Sequence, residues 1–131
     1  MGMHERNRKK VHVVLSKEEI DRQKIDARKV AVVFDVLLAT TTVSALLQYG
    51  AKGIIPVMDG EEALSMMKTI GDDHVILAGE VNGQTIEGFE DPIAARLKES
   101  VEGKTVILST TNGTVAIRKV DSAKKEYAAS L

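Results

Sequence analysis

Short apolar runs alternate along this chain with longer stretches in which apolar residues recur at helical spacing. The first run, Val11-His12-Val13-Val14-Leu15, reads as a strand over 11–15. Ser16 followed three residues on by Glu19 is a capping-box pattern and opens a short charged helix. Residues 29–34 read as a second strand. Its run Val30-Ala31-Val32-Val33-Phe34 does not alternate, which predicts burial of both faces at the centre of a covered sheet. A helix is expected to start within Thr40-Thr41-Thr42 and to reach Tyr49, with Gly50 just past its end. Residues 53–57 are the third strand. Asp59-Gly60 precedes a helix over 61–70 whose acidic first turn suits the helix dipole.

Residues 74–78 are the fourth strand. Asn82-Gly83 signals a turn, with a short returning strand over 85–87. Asp91-Pro92 reads as a helix start with proline in the first position, the helix continuing through Arg96 and Leu97 to Ser100. The fifth strand covers 105–108, and Asn112-Gly113 turns the chain into a short helix toward Lys119. Residues 126–131 begin one more strand, so the expectation is a fragment or a truncated reading frame. Strands alternating with helices of this length predict an α/β fold: three layers, α/β/α, around a mostly parallel central sheet, incomplete at the C-terminus.

Composition narrows the classes of function. The 131 residues are 44% hydrophobic with a formal net charge of −1, which exerts no general pull toward nucleic acid or membrane. Two Phe, two Tyr and no Trp leave little for stacking on bases. The absence of cysteine excludes disulfides and thiolate chemistry and suits a reducing cytoplasm. No apolar run reaches the roughly 18 residues of a membrane span. Residues 1–10 carry Arg6, Arg8, Lys9 and Lys10 and read as a basic flexible tail, with one domain over 11–131.

In an open α/β sheet, ligands bind beyond the carboxyl ends of the strands. Those ends here carry Asp35 followed by Thr40, Thr41 and Thr42; Asp59; Glu80 after Gly79; and Ser109-Thr110-Thr111-Asn112-Gly113-Thr114. Carboxylates, hydroxyls and small residues gathered on one edge suit a hard cation and an oxyanion. A carboxylate closing a buried strand costs stability unless it is paired, hydrated or bound to metal, which makes Asp35 the most informative of the set. His12 and His74 stand at strand starts and His4 in the tail, away from that edge. Met66-Met67 reads as core filler.

Val33-Phe34-Asp35-Val36-Leu37-Leu38-Ala39-Thr40-Thr41-Thr42 resembles the first signature of the 2-phosphosulfolactate phosphatase family, enzymes of coenzyme M biosynthesis. Leu77-Ala78-Gly79-Glu80, Ile86-Glu87-Gly88-Phe89 and Leu108-Ser109-Thr110-Thr111-Asn112-Gly113-Thr114 follow in the family's order, the last being the most specific. The resemblance spans residues 11–131, the N-terminal part of such a domain. It implies Mg²⁺ dependence and hydrolysis of 2-phospho-3-sulfolactate to 3-sulfolactate and phosphate. It also implies a catalytic role for Asp35, metal binding by Asp35 and Glu80, and substrate binding by Thr40, Thr41, Thr42, Thr110, Thr111, Asn112, Gly113 and Thr114. The partner implied is a small phosphorylated, sulfonated organic acid; no nucleic acid or membrane is expected, and a homo-oligomer is left open. Three departures stand out. The family pattern has arginines where Leu38 and Val81 stand, and a longer Gly-Asn-Ser-Pro turn where Phe89-Glu90-Asp91-Pro92 stands.

Activity is therefore expected to be reduced, and a non-catalytic phosphate- or sulfonate-binding module derived from the family is the alternative. A receiver-like domain fits less well, lacking an acidic pair near 11–15 and a lysine after the 105–108 strand. No Gly-x-Gly-x-x-Gly supports dinucleotide binding.

Overall fold

The computed structural model describes residues 8–131. Among them the elements run β1 (Val30–Phe34), α1 (Ala39–Gln48), β2 (Gly53–Val57), α2 (Gly60–Ile70), β3 (Val75–Val81), β4 (Gln84–Thr85), α3 (Ala94–Leu97), β5 (Thr105–Ser109), α4 (Gly113–Lys119) and β6 (Lys125–Ala129). The α/β class and the predominance of parallel pairing are as the pattern predicts. One sheet has the order β2-β5-β3-β4, with only the β3–β4 pair antiparallel. β1 and β6 form a separate parallel pair, Val30 opposite Lys125 and Phe34 opposite Ala129.

The four-stranded sheet sits at the middle of three layers because its central strand is apolar on both faces. Val106 and Leu108 of β5 point to one side, where they join Leu46 of α1, Leu97 of α3 and Val101. Ile107 points to the other and meets Val57 of β2 and Ala63 of α2. All three β5 residues are fully buried, and truncating any one to alanine carries the usual core penalty of about 1–5 kcal/mol. α2 forms where the sequence signals it. Asp59 accepts a hydrogen bond from the Glu62 N–H at 2.9 Å, and Gly71 closes the helix with its N–H on the Met67 carbonyl at 2.9 Å.

Several expectations are corrected. The 11–15 run pairs with no strand and its side chains are exposed. Its end is drawn into a turn instead, the Leu15 and Ser16 N–H groups donating to the Glu19 carboxylate at 3.1 and 3.2 Å. The capping box of Ser16 and Glu19 forms, yet it holds only a single 3-10 turn, Lys17–Glu19, because Ile20 is already extended. β1 is not buried on both faces. Val30, Val32 and Phe34 are 57%, 49% and 72% exposed, while Ala31 and Val33 are half-buried. The reason is topological: β1 lies in a two-stranded sheet with α1 and α4 packed against it, not at the centre of a covered one. The helix expected from Asp91 shrinks to one turn, α3. The Asp91 carboxylate binds Arg96 at 2.6 Å rather than capping backbone N–H groups, and Pro92 lies before the helix with its carbonyl accepting from the Thr42 hydroxyl. β3 is longer than predicted and carries Glu80 within it. The basic tail falls on residues 1–7, outside the described residues, and on residues 8–10, which are exposed. Among the described residues no helix is long and apolar enough to cross a membrane.

Candidate active site

A cleft of about 490 Å³ opens where the carboxyl ends of β1, β3 and β5 converge. Asp35, Leu37 and Leu38 line it from the loop after β1; Glu80, Asn82, Gly83 and Thr85 from the β3–β4 hairpin; Thr110, Thr111 and Asn112 from the loop after β5; and Asp91, Pro92 and Ile93 close it. A smaller hollow of about 270 Å³ lies along the far end of β3, bordered by Val75 and Lys104, and none of the candidate catalytic, metal or substrate-binding residues lines it.

Asp35 is fixed by its own loop. Its N–H donates to the Thr40 hydroxyl at 3.0 Å, its carbonyl accepts from the Thr40 N–H at 3.0 Å, and its Oδ1 accepts from the Leu38 N–H at 3.0 Å. Oδ2 receives no hydrogen bond from the described residues and faces the start of α4. A methyl group on Gly113 would lie 2.5 Å from Oδ2 and closer still to Ala39, so only glycine lets α4 approach Asp35 this nearly. Gly79 serves the same purpose on the neighbouring strand, where a Cβ would lie 2.7 Å from the Ser109 carbonyl oxygen.

Glu80 is the hub of the other wall. Oε1 accepts from the Thr111 N–H at 2.7 Å; Oε2 accepts from the Thr111 hydroxyl at 2.9 Å and the Gly83 N–H at 2.8 Å. Burial pushes this carboxyl up, but the bonds from Thr111 and Gly83, with the field of Lys17, outweigh it and hold Glu80 below the ordinary carboxylate range. Glu80 is thus an anion at neutral pH, tying the β3–β4 hairpin to the β5–α4 loop.

The sequence-predicted residues divide in two. Asp35, Glu80, Thr110, Thr111 and Asn112 share the cleft. Thr40, Thr42, Gly113 and Thr114 are buried behind it, and Thr41 is exposed outside its lining. Their hydroxyls are occupied by backbone: Thr41 donates to the Val36 carbonyl and Thr42 to that of Pro92. Thr114 and Thr110 cap one another, each side-chain oxygen accepting from the other's N–H at 2.8 and 3.0 Å. The Thr111 hydroxyl is engaged as well, donating to Glu80 while accepting from the Asn82 N–H at 2.7 Å. Leu38 lines the cleft, whereas Val81 does not, since successive strand residues face opposite sides and Glu80 takes the inner one. Sequence reasoning missed Asn82 and Gly83 as site residues, although their place beside Glu80 in a turn was a usable signal. It also missed Lys17, whose Nζ donates to Asn112 Oδ1 at 3.1 Å; nothing local could have paired residues so far apart in the chain.

The sequence profile described as 2-phosphosulpholactate phosphatase matches residues 14–131. Among curated proteins, the chain is similar to a "Probable 2-phosphosulfolactate phosphatase" of Caldanaerobacter subterraneus subsp. tengcongensis, 46% identical over 74% of this chain and 41% of the relative. Proteins of the same name from Clostridium perfringens and Thermotoga maritima are 40% and 45% identical, over 93% and 72% of this chain and 51% and 40% of theirs. The chain therefore spans about half the length of the curated relatives it matches. The profile match runs through both walls of the cleft and takes in all four signature stretches, from Asp35 to Thr114, and on that ground the chain belongs to the 2-phosphosulpholactate phosphatase family.

Proposed function

We propose that this chain carries the reaction cleft of a Mg²⁺-dependent phosphatase acting on 2-phospho-3-sulfolactate, the coenzyme M biosynthesis reaction, in the cytoplasm. The observation that carries the reading is the meeting of Asp35, Glu80 and the 110–112 loop in one cleft at the strand ends. Both carboxylates offer hard oxygen donors, the type Mg²⁺ selects, and that ion needs only one or two of them beside water and phosphate oxygen. Asp35, whose Oδ2 accepts no hydrogen bond from the described residues, would be the first ligand; Glu80, already accepting three hydrogen bonds, would add its charge. When bound, the ion supplies charge stabilisation to the phosphate oxygens.

Asp35 would orient the attacking water, whose proton leaves to solvent. The water oxygen bonds to phosphorus, the ester P–O bond breaks, and the sulfolactate oxygen takes up a proton from solvent. A second reading is supported by Leu38, an uncharged residue on the cleft wall where the family pattern has arginine: the cleft binds an oxyanion without turning it over. Phosphate release from 2-phosphosulfolactate, with and without Mg²⁺, tests both. Release that requires Mg²⁺ and disappears in Asp35→Asn is the expected result. Release untouched by that substitution would sink the assignment, and anion binding without release would establish the second reading.

A further inference from the structure

The lining of the cleft holds three carboxylates, Asp35, Glu80 and Asp91, and no lysine or arginine. The charged side chains that a phosphate or sulfonate meets there are all negative, and partial desolvation strengthens the repulsion. Beside the proposed metal ion, a cationic side chain would offset it. Two stand at the rim among the described residues. Arg96 is 67% exposed and bound to Asp91 at 2.6 Å, so its charge is answered by a carboxylate and the rest of its side chain lies in water. Lys17 is placed differently. Its side chain is only 20% exposed, and its Nζ donates to Oδ1 of Asn112, itself a cleft residue, at 3.1 Å.

The 3-10 turn that carries Lys17 is pinned to α4, since the Lys119 Nζ donates to the Lys17 carbonyl at 2.9 Å. Its carboxylate partner among the described residues, Glu18 at 3.2 Å, is 68% exposed and screened by solvent. An ammonium has three N–H donors. Asn112 and Glu18 engage two and leave one for a ligand. The charge also reaches the interior of the cleft, where it is one of the influences holding Glu80 ionised.

We propose that Lys17 is the residue that recognises the tetrahedral oxyanion group of the ligand, held at the cleft mouth by Asn112 and standing in for the positive charge that Leu38 does not supply. This rests on the reading of the cleft as an oxyanion site. The test is calorimetric titration of inorganic phosphate into the full chain and into Lys17→Gln, Lys17→Arg and Arg96→Met. Glutamine keeps a donor for Asn112 and removes the charge, so it separates recognition from loop positioning. The Gln variant is expected to bind roughly ten-fold more weakly, as loss of a charge-assisted contact implies. Its melting temperature should be unchanged and its salt dependence flatter. The Arg variant should stay within about three-fold of the parent, and Arg96→Met should bind as the parent does. Parent-like binding by Lys17→Gln, or a loss confined to Arg96→Met, overturns the role of Lys17 while leaving the oxyanion cleft standing. A parent chain that binds no phosphate at all overturns both.

Discussion

Glu62 and Arg118 illustrate how single charges hold this site from behind. Glu62 accepts from the Met58 N–H at 2.7 Å and pairs with Arg118, which also reaches the Pro56 carbonyl at 3.4 Å. The pair thereby locks α4, whose first turn abuts Asp35, onto α2 and β2. The Met58 N–H chiefly, with Arg118, keeps the Glu62 carboxyl below its ordinary value against the opposing effect of burial. A depressed folded-state pKa contributes stability above the unfolded value, and the contribution is lost as pH falls through the folded one. Glu62→Gln should therefore cost about 1–2 kcal/mol at neutral pH, discounting for partial exposure. The gap from the parent should close as pH drops below about 4.5. Urea denaturation at several pH values reads this, and a constant gap would contradict it. At this scale Asp35 and Glu80 were legible, because a carboxylate at the end of an apolar strand is conspicuous in sequence. The hydroxyls of Thr40, Thr42 and Thr114 were not, since a threonine that bonds backbone looks the same in sequence as one that awaits a ligand.

The β3–β4 hairpin and the β5–α4 loop act as one unit through Thr111. Replacing Thr111 with valine keeps the shape but removes the hydroxyl that donates to Glu80 and accepts from Asn82. A loss of about 1 kcal/mol in stability is expected, with a rise in the Glu80 pKa, because one of the bonds that lower it is gone. Carboxyl NMR titration of Glu80 checks the direction, and an unchanged midpoint would mean the hydroxyl has no part in holding it. Elements with complete local signals were readable. α2 has its cap, acidic first turn and terminal glycine together, and β5 falls where the 105–108 run reads as a strand. β1 shows where that reading stops. A run without alternation states that both faces can be buried, whereas the coverage each receives depends on neighbours the run does not encode.

At the scale of the whole molecule, an apolar surface is open on the β1–β6 pair among the described residues. Val30, Val32 and Phe34 line one face of the β1–β6 pair, with Tyr127, 51% exposed, opposite Val32. Such a patch, on strands whose remaining edges are unpaired among the described residues, favours association. Val32→Lys combined with Phe34→Lys should abolish concentration-dependent association in sedimentation velocity and leave stability within about 1 kcal/mol, as for other exposed positions. A parent that stays monomeric at all concentrations would remove the premise. The same pairing bears on how the chain is made. β1 leaves the ribosome long before β6, its strand partner among the described residues, which is nearly a hundred residues behind it. At ordinary elongation rates the interval is roughly 5–20 s. Throughout it a β-prone apolar segment has no ladder to join, and Asp35, at its tip, has no second wall to face. Translation speed and chaperone access during that interval, and not the final stability alone, then bear on how much of this protein reaches a form in which the cleft exists.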